Sequence, residues 1–455
     1  MGDADGLRGL LVSPTSLSGW GRTNASVVTL RTPRNEEEIL NEFASGEQLI
    51  ARGLGRSYGD AAQLSGGVVL DNRALDAISP ISDEGVVTLG AGVSFDELLA
   101  VAIPQGWFVP VTPGTRQVTM GGALAADVHG KNHHVDGSLA NHVLSMRLVT
   151  PAGAFTLSRT EDTELFWATM GAMGLTGVVT SLTLQMLAIE TNQMLVDTTR
   201  HGDLESVMSA MATGDADYRY SVAWVDCMTR GAHMGRAILT RGDHATIEAV
   251  KKVALKGPRK PKVTIPFEAP RGLLNRWSVR AFNEAWFRSA PRHELDETQS
   301  LSSFFYPLDG VANWNLLYGK RGFVQYQFCV PDAMGDTVVD VIKRLSESRV
   351  ASFLAVLKRF GPGNPSPLSF PLSGWTLALD LPVGGDTLPG VLDDLDSLVV
   401  AATGRVYFAK DARLKPDQVR AMYPRLEEFR KVKSRVDPND QLTSDLARRL
   451  DLVGK

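Results

Sequence analysis

The segment ARGLGRSYGD, Ala51–Asp60, constrains the fold most, because it sets Gly53, Gly55 and Gly59 directly after a run that reads as a β-strand. Without a Cβ, such a loop lets successive main-chain N–H groups close around an anion. The spacing is GxGxxxG, no clear helix follows, and no acidic residue closes a βαβ unit about 20 residues on, so the loop does not fit a Rossmann dinucleotide fingerprint. A second loop, PGTRQVTMGGALAAD, runs from Pro113 to Asp127, and its Gly121, Gly122 and Ala123 leave room for a ligand to lie against the backbone. Either loop alone reads as a plain turn in a chain with 43 glycines and 23 prolines. Together, in this order, they suit one extended ligand with two phosphates.

Around these loops the pattern is α+β. QLIARGLG, GGVVLDN and GVVTLGAGV read as strands, and SFDELLAVAIPQG as a helix entered at Ser94 with Glu97 three residues on. WFVPVTPGT reads as a strand and turn, TMGGALAADVHG as a small-residue helix, and MRLVTPAGAFTLS as a hairpin closed at Pro151 to Gly153. DTELFWATMGAMG reads as a helix capped by Asp162 or Thr163, running into the strand GVVTSLTLQML. Near Ile189 the glycine-rich texture gives way to aromatic strands (YRYSVAWVD, GFVQYQFCV, GWTLALDLP) with helices between, up to about Thr403. The last residues, from GRVYFAKDARLKP on, return to a strand and two helices that are expected to rejoin the first region.

Length and composition narrow the class. A chain of 455 residues, 44% hydrophobic and 22% charged, is globular and large enough for two domains. A net charge of −4 gives no basic field for nucleic acid. Cys227 and Cys329 are the only cysteines, which excludes a disulfide scaffold and CxxC chemistry. MGDADGLRGLLVSPTS lacks the basic and apolar regions of a Sec-type signal, and no apolar run approaches the ~20 residues of a membrane span. Membrane contact is therefore expected to be peripheral, with a cytoplasmic or membrane-peripheral location favoured and a periplasmic one open. KKVALKGPRKPK, Lys251–Lys262, with six basic residues and no acid, reads as a solvated loop or as a contact to anionic lipid.

DVHGKNHH, Asp127–His134, holds three of the eight histidines. His129 and His133, four apart, could share a helix face as metal ligands, but no HExxH glutamate separates them and Lys131 would repel a cation. A structural role is the plain reading for His133 and His134.

The motifs GLGRSYGD, PGTRQVTMGGALAADVHGKNHH, ELFWATMGAMGLTG and SDLARRL, with FVQYQF, LSFP and YFAKDAR, resemble the FAD-dependent oxidases of the vanillyl-alcohol oxidase type. Within that superfamily they resemble the branch that acts on lipid-linked ribosides. The resemblance spans nearly the whole chain. It implies a two-domain α+β flavoprotein, with a discontinuous FAD-binding domain (1–189 and 404–455) and an inserted substrate domain (190–403) built on a mainly antiparallel sheet. FAD contacts are implied for Arg52, Gly53, Leu54, Gly55, Arg56, Ser57, Tyr58, Gly59, Pro113, Gly114, Thr115, Thr119, Gly121, Gly122, Asp127, His129, Gly130, Lys131, Asn132, Gly174, Gly177, Tyr407 and Lys410. Many relatives bind FAD covalently through a histidine in the first loop; Tyr58 stands at that place, so non-covalent FAD is expected.

The implied reaction is oxidation of the 2′-hydroxyl of decaprenylphosphoryl-β-D-ribose to a keto sugar, the first half of an epimerisation feeding cell-wall arabinan. An NAD(P)H-dependent reductase would complete it, and a quinone or other acceptor would reoxidise the flavin. Such chemistry needs a base for the hydroxyl proton and a cation beside the flavin pyrimidine edge. His129 or Lys410 is the expected proton acceptor, and Trp224, Gln325, Gln327, Lys358 and Ala378 are expected around the substrate. The family pattern has cysteine, asparagine and tyrosine where this chain has Ala378, Thr376 and Phe305, which predicts resistance to thiol-directed inhibitors. An aldonolactone or alditol oxidase, and a non-catalytic flavin scaffold, are the rival readings.

Overall fold

Short apolar runs broken by glycine turns pair into two four-stranded sheets in the computed structural model, which describes residues 14–454 apart from 251–254, 259–260, 262, 271–272, 349, 351, 353 and 385. The first sheet has the order Thr15–Ser18, Ala25–Arg31, Val68–Asp71, Leu49–Arg52, with its last two strands parallel. A parallel pair covered on both faces has no solvent side, which is why Val68, Val69 and Leu70 are apolar in succession and all buried. Leu49–Arg52 ends where the first glycine loop begins. The second sheet, Val86–Gly90, Val178–Gln185, Val143–Thr150, Gly153–Ser158, is antiparallel and contains the expected hairpin, with Thr150 opposite Gly153. Ser94 and Glu97 form the expected capping box on helix Phe95–Ala102, and Asp162 caps Thr163–Thr169.

The aromatic strands build an eight-stranded antiparallel sheet in the order His293–Ser300, Gln193–His201, Ala237–His244, Tyr220–Val225, Ala355–Phe360, Gly374–Pro382, Phe323–Pro331, Arg405–Val406. Side chains alternate across a strand, so Gln325 and Gln327 share one face while Tyr326 and Phe328 take the other. On that second face the Tyr326 hydroxyl donates to Asp396 of helix Thr387–Ala401 at 3.0 Å. The C-terminal residues return to the first sheet. Leu49 N donates to Gln441 O at 2.8 Å, Thr443 N donates to Leu49 O at 3.2 Å, and Arg449 pairs with Asp60 and Asp411 at 2.7 and 2.9 Å.

Three expectations change. Only Trp107–Phe108 of WFVPVTPGT is a strand, because Pro110 and Pro113 have no N–H to continue a ladder. Only Arg405–Val406 of GRVYFAKDARLKP is a strand; Lys410 N donates to Tyr407 O at 2.9 Å, which puts Lys410 on a turn. His129 and His133 do not share a helix face, since the helix begins at His133 and His129 bridges to Ser138. Of the basic stretch only 255–258 and Pro261 are among the described residues, and the first thirteen residues lie outside them. Cys227 and Cys329 are buried and free. No described helix is long and apolar enough to cross a membrane.

Candidate active site

The glycine loops and the Gln325/Gln327 face of the large sheet enclose a cavity of about 1200 Å³. All the residues expected at the site line it except Gly59, Asp127 and Asn132. Those three serve the frame. Gly59 packs on the main chain of Asp411, where a Cβ would lie 2.0 Å from the carbonyl oxygen. Asp127 is fully buried and accepts from Asn364 Nδ2 at 2.7 Å and Ser369 Oγ at 2.5 Å. Asn132 Nδ2 donates to Pro110 O and Asp136 Oδ2 at 2.8 and 2.6 Å.

One end of the cavity is built from main chain. Among the described residues the amides of Leu54, Gly55, Arg56, Ser57, Gly114 and Thr115 donate to no protein group. Gly121 and Gly122 act differently: their amides are taken by Ala91 O and Thr119 Oγ1, and what they provide is space. A Cβ on Gly53 would lie 2.0 Å from Thr119 Oγ1, and one on Gly121 2.8 Å from Ala91 Cβ. Arg56 stacks 3.9 Å over Trp20, and its buried Nε has no partner. Main-chain donors without protein partners, grouped beside a guanidinium, suit an anion, and this set fits the diphosphate of FAD.

The other end is built from side chains. Thr376 Oγ1 donates to Phe328 O at 2.8 Å, so it can only accept from Gln327 Nε2, 3.2 Å away. The same Gln327 nitrogen lies 3.0 Å from His129 Nε2, which must then be the unprotonated ring nitrogen. The ring proton falls on Nδ1, 3.1 Å from Lys358 Nζ, and Lys358 must be an uncharged amine to accept it. Burial, with help from Lys410 and Lys131, pushes Lys358 down to about 7, so the uncharged amine is populated at neutral pH. Burial, Lys358, His133 and Lys410 hold His129 well below the usual imidazole range. Lys131 is also pushed down to about 7 by burial, and donates to Phe304 O at 2.6 Å.

Lys410 Nζ sits 4.0 Å over the Tyr58 ring. Burial lowers it to about 8, against the opposing pull of Asp380. Asp380 is fully buried, raised by burial to about 6, and accepts from the Gln325 amide. His134 Nε2 reaches Asp215 O and Tyr218 O, a structural role, and no group of metal-binding side chains occurs among the described residues.

Sequence reasoning missed the latch on the second loop. Asp309 accepts from Thr115 Oγ1 at 2.6 Å and from Arg116 N at 2.8 Å, and Tyr306 pairs with Thr112 at 2.7 Å. Thr115 and Asp309 are 194 positions apart, and no local signal marks Asp309. Asp380 was missed too, as one acidic residue in an otherwise apolar strand.

Residues 25–157 match a family profile described as an FAD binding domain. The chain is 41% identical over 450 residues to the decaprenylphosphoryl-β-D-ribose oxidase of Mycolicibacterium smegmatis, covering 96% of this chain and 97% of that protein. It is 38% identical over 371 residues to an uncharacterised protein from the mprA 5′ region of Streptomyces coelicolor, covering 79% of this chain and all of that one. Similarity to the D-lactate dehydrogenase of Archaeoglobus fulgidus is 27% over 165 residues, 34% of this chain and 37% of that protein.

Proposed function

The chain belongs to the family of the decaprenylphosphoryl-β-D-ribose oxidases, and from that premise we propose that it oxidises the 2′-hydroxyl of decaprenylphosphoryl-β-D-ribose to the 2′-keto sugar. It is an FAD-dependent oxidoreductase with mixed α and β structure and antiparallel sheets. The observation that carries the reading is the meeting, in one cavity, of unpaired main-chain donors with the Gln327–His129–Lys358 cluster.

FAD, when bound, supplies the hydride acceptor. The amides of Leu54 to Ser57 and of Gly114 and Thr115 would hold its diphosphate, with Arg56 adding charge. Tyr58 occupies the place of the linking histidine, and its phenol does not make that bond, so the cofactor is held non-covalently. His129 and Lys358 form the proton acceptor: the sugar hydroxyl would displace Gln327 at His129 Nε2 and give its proton there as the carbon–hydrogen bond breaks, while the Nδ1 proton passes to the uncharged Lys358 amine. Lys410 would supply a cation to offset the negative charge that the cofactor takes up. Trp224, Gln325 and Ala378 complete the substrate wall.

The proposed architecture is the two-domain vanillyl-alcohol oxidase type, with 1–189 and 404–455 on FAD and 190–403 on substrate. Support comes from the large sheet, seven of whose eight strands lie within 193–382, and from the return of 441–449 to the first glycine loop; the edge strand Arg405–Val406 is contributed by the C-terminal segment. A separate NAD(P)H-dependent reductase would complete the epimerisation, and a quinone or similar acceptor would reoxidise the flavin at a peripheral membrane position. Anaerobic titration of the yellow holoenzyme with decaprenylphosphoryl-β-D-ribose tests the reading. Bleaching at stoichiometric riboside supports it; bleaching by free aldoses or aldonolactones, or by nothing, overturns it.

A further inference from the structure

The cavity does not end at the polar cluster. From strand to strand of the large sheet, cross-strand neighbours run Gln327, Ala378, Val356, Trp224, Ile238, and all five line the cavity. At ~4.8 Å per strand the row extends about 19 Å away from the residue that meets His129. Beyond Gln327 it offers a sugar hydroxyl nothing except the indole N–H of Trp224.

The same cavity is lined by Phe282 and Trp286 of helix Arg276–Ser289. Their rings stack at 6.2 Å with planes 8° apart, and they remain 47% and 49% exposed. Val279 and Asn283 attach the helix: both are buried, and Asn283 Nδ2 donates to Asp226 Oδ1 at 2.8 Å. Half-exposed where it lines the cavity, the Phe282–Trp286 pair adds apolar surface to it. Trp277, 65% exposed, is on the same helix and Phe267, 69% exposed, precedes it, and the helix also carries Arg276, Arg280 and Arg288.

Resting on the function proposed above, we infer that this tract is the binding site for the isoprenoid tail of the lipid-linked substrate. The first isoprene units lie along Ala378, Val356, Trp224 and Ile238, and the chain leaves the protein past the Phe282–Trp286 pair. The polar end then holds the riboside head, and the apolar row tells a lipid-linked sugar from a free one by burying its hydrocarbon. A decaprenyl chain far outruns the row, so its remainder stays in the bilayer and only the head is drawn in.

The test uses holoenzyme and phosphoryl-β-D-ribosides with methyl, geranyl or farnesyl tails. KM is read from anaerobic flavin bleaching, and farnesyl phosphate affinity from calorimetry. Two variants probe the two walls: Phe282→Ser/Trp286→Ser on half-exposed positions, and Val356→Thr, which keeps the β-branched shape a strand favours. In the wild type KM should fall at least about tenfold from methyl to farnesyl, and in each variant by less than about threefold. Equal KM values for methyl and farnesyl in the wild type, or a dependence that both variants retain, would overturn the tail site while leaving the oxidase reading intact. If no riboside bleaches the flavin yet farnesyl phosphate binds the wild type more tightly than both variants, the tail site stands and the oxidase reading falls.

Discussion

The two ends of the cavity recognise by different means. The glycine-loop end works with main-chain amides and the space left by missing side chains, all within two short stretches of sequence. The sheet end works with side chains brought from afar: His129 and Lys358 are 229 positions apart and His129 and Gln327 are 198. A backbone-built cup varies little between relatives with different substrates, whereas a side-chain-built pocket changes with every replacement.

The two ends should fail separately. Gly53→Val would drive a side chain into Thr119, the cap of helix Met120–Ala125, and close the cup. We expect flavin content to fall by more than about a hundredfold, read as absorbance near the flavin maximum against protein absorbance, with far-ultraviolet circular dichroism preserved. Lys410→Met should do the reverse: full yellow colour, but bleaching slowed by about 10²–10³-fold in stopped flow. A colourless Lys410→Met protein would show that this lysine belongs to the cofactor-holding end and would blur the distinction.

A smaller effect separates the ends by pH. Lys131 and Lys358 are lowered by burial from 10.5 to about 7 in the folded state, so the folded protein prefers them uncharged. Their penalty on folding is fully present below pH ~7 and is relieved as pH rises toward the unfolded lysine value of about 10.4. The melting temperature of the flavin-free protein should therefore rise between pH 7 and 9, and Lys358→Met should flatten part of that rise in a thermal-shift series. A flat or falling wild-type curve would mean that the lysines are already neutralised by partners within the protein. The smallest effect is expected at Ala378→Cys. Turnover should change by less than about twofold, because the flavin and not a thiol accepts electrons, while incubation with a thiol-directed covalent inhibitor should now inactivate the enzyme. Inactivation of the unsubstituted protein would contradict the assignment of this wall position.

Legibility in the sequence followed the same division. Ser94 with Glu97, Asp162 before Thr163 and the Pro151 turn are local signals, and each element they mark is present. The glycine loops could be read because a cup made of backbone must carry its missing side chains in consecutive positions. Asp309, Tyr306 and Asp380 could not, because their meaning lies in partners reached only through the fold. The same blindness made Asp127 and Asn132 look like cavity residues. They adjoin His129 in sequence, but the chain turns their side chains inward onto Ser369, Asn364 and Pro110.

The knitting of Leu49 to Gln441 and Thr443, and of Asp60 to Arg449, also bears on biosynthesis. The strand that launches the first glycine loop, and the loop's own end, acquire these neighbours only after residues 441–449 have left the ribosome. Cofactor capture is then a late, post-translational event, and a nascent chain waits for its vitamin-derived passenger with a half-finished berth.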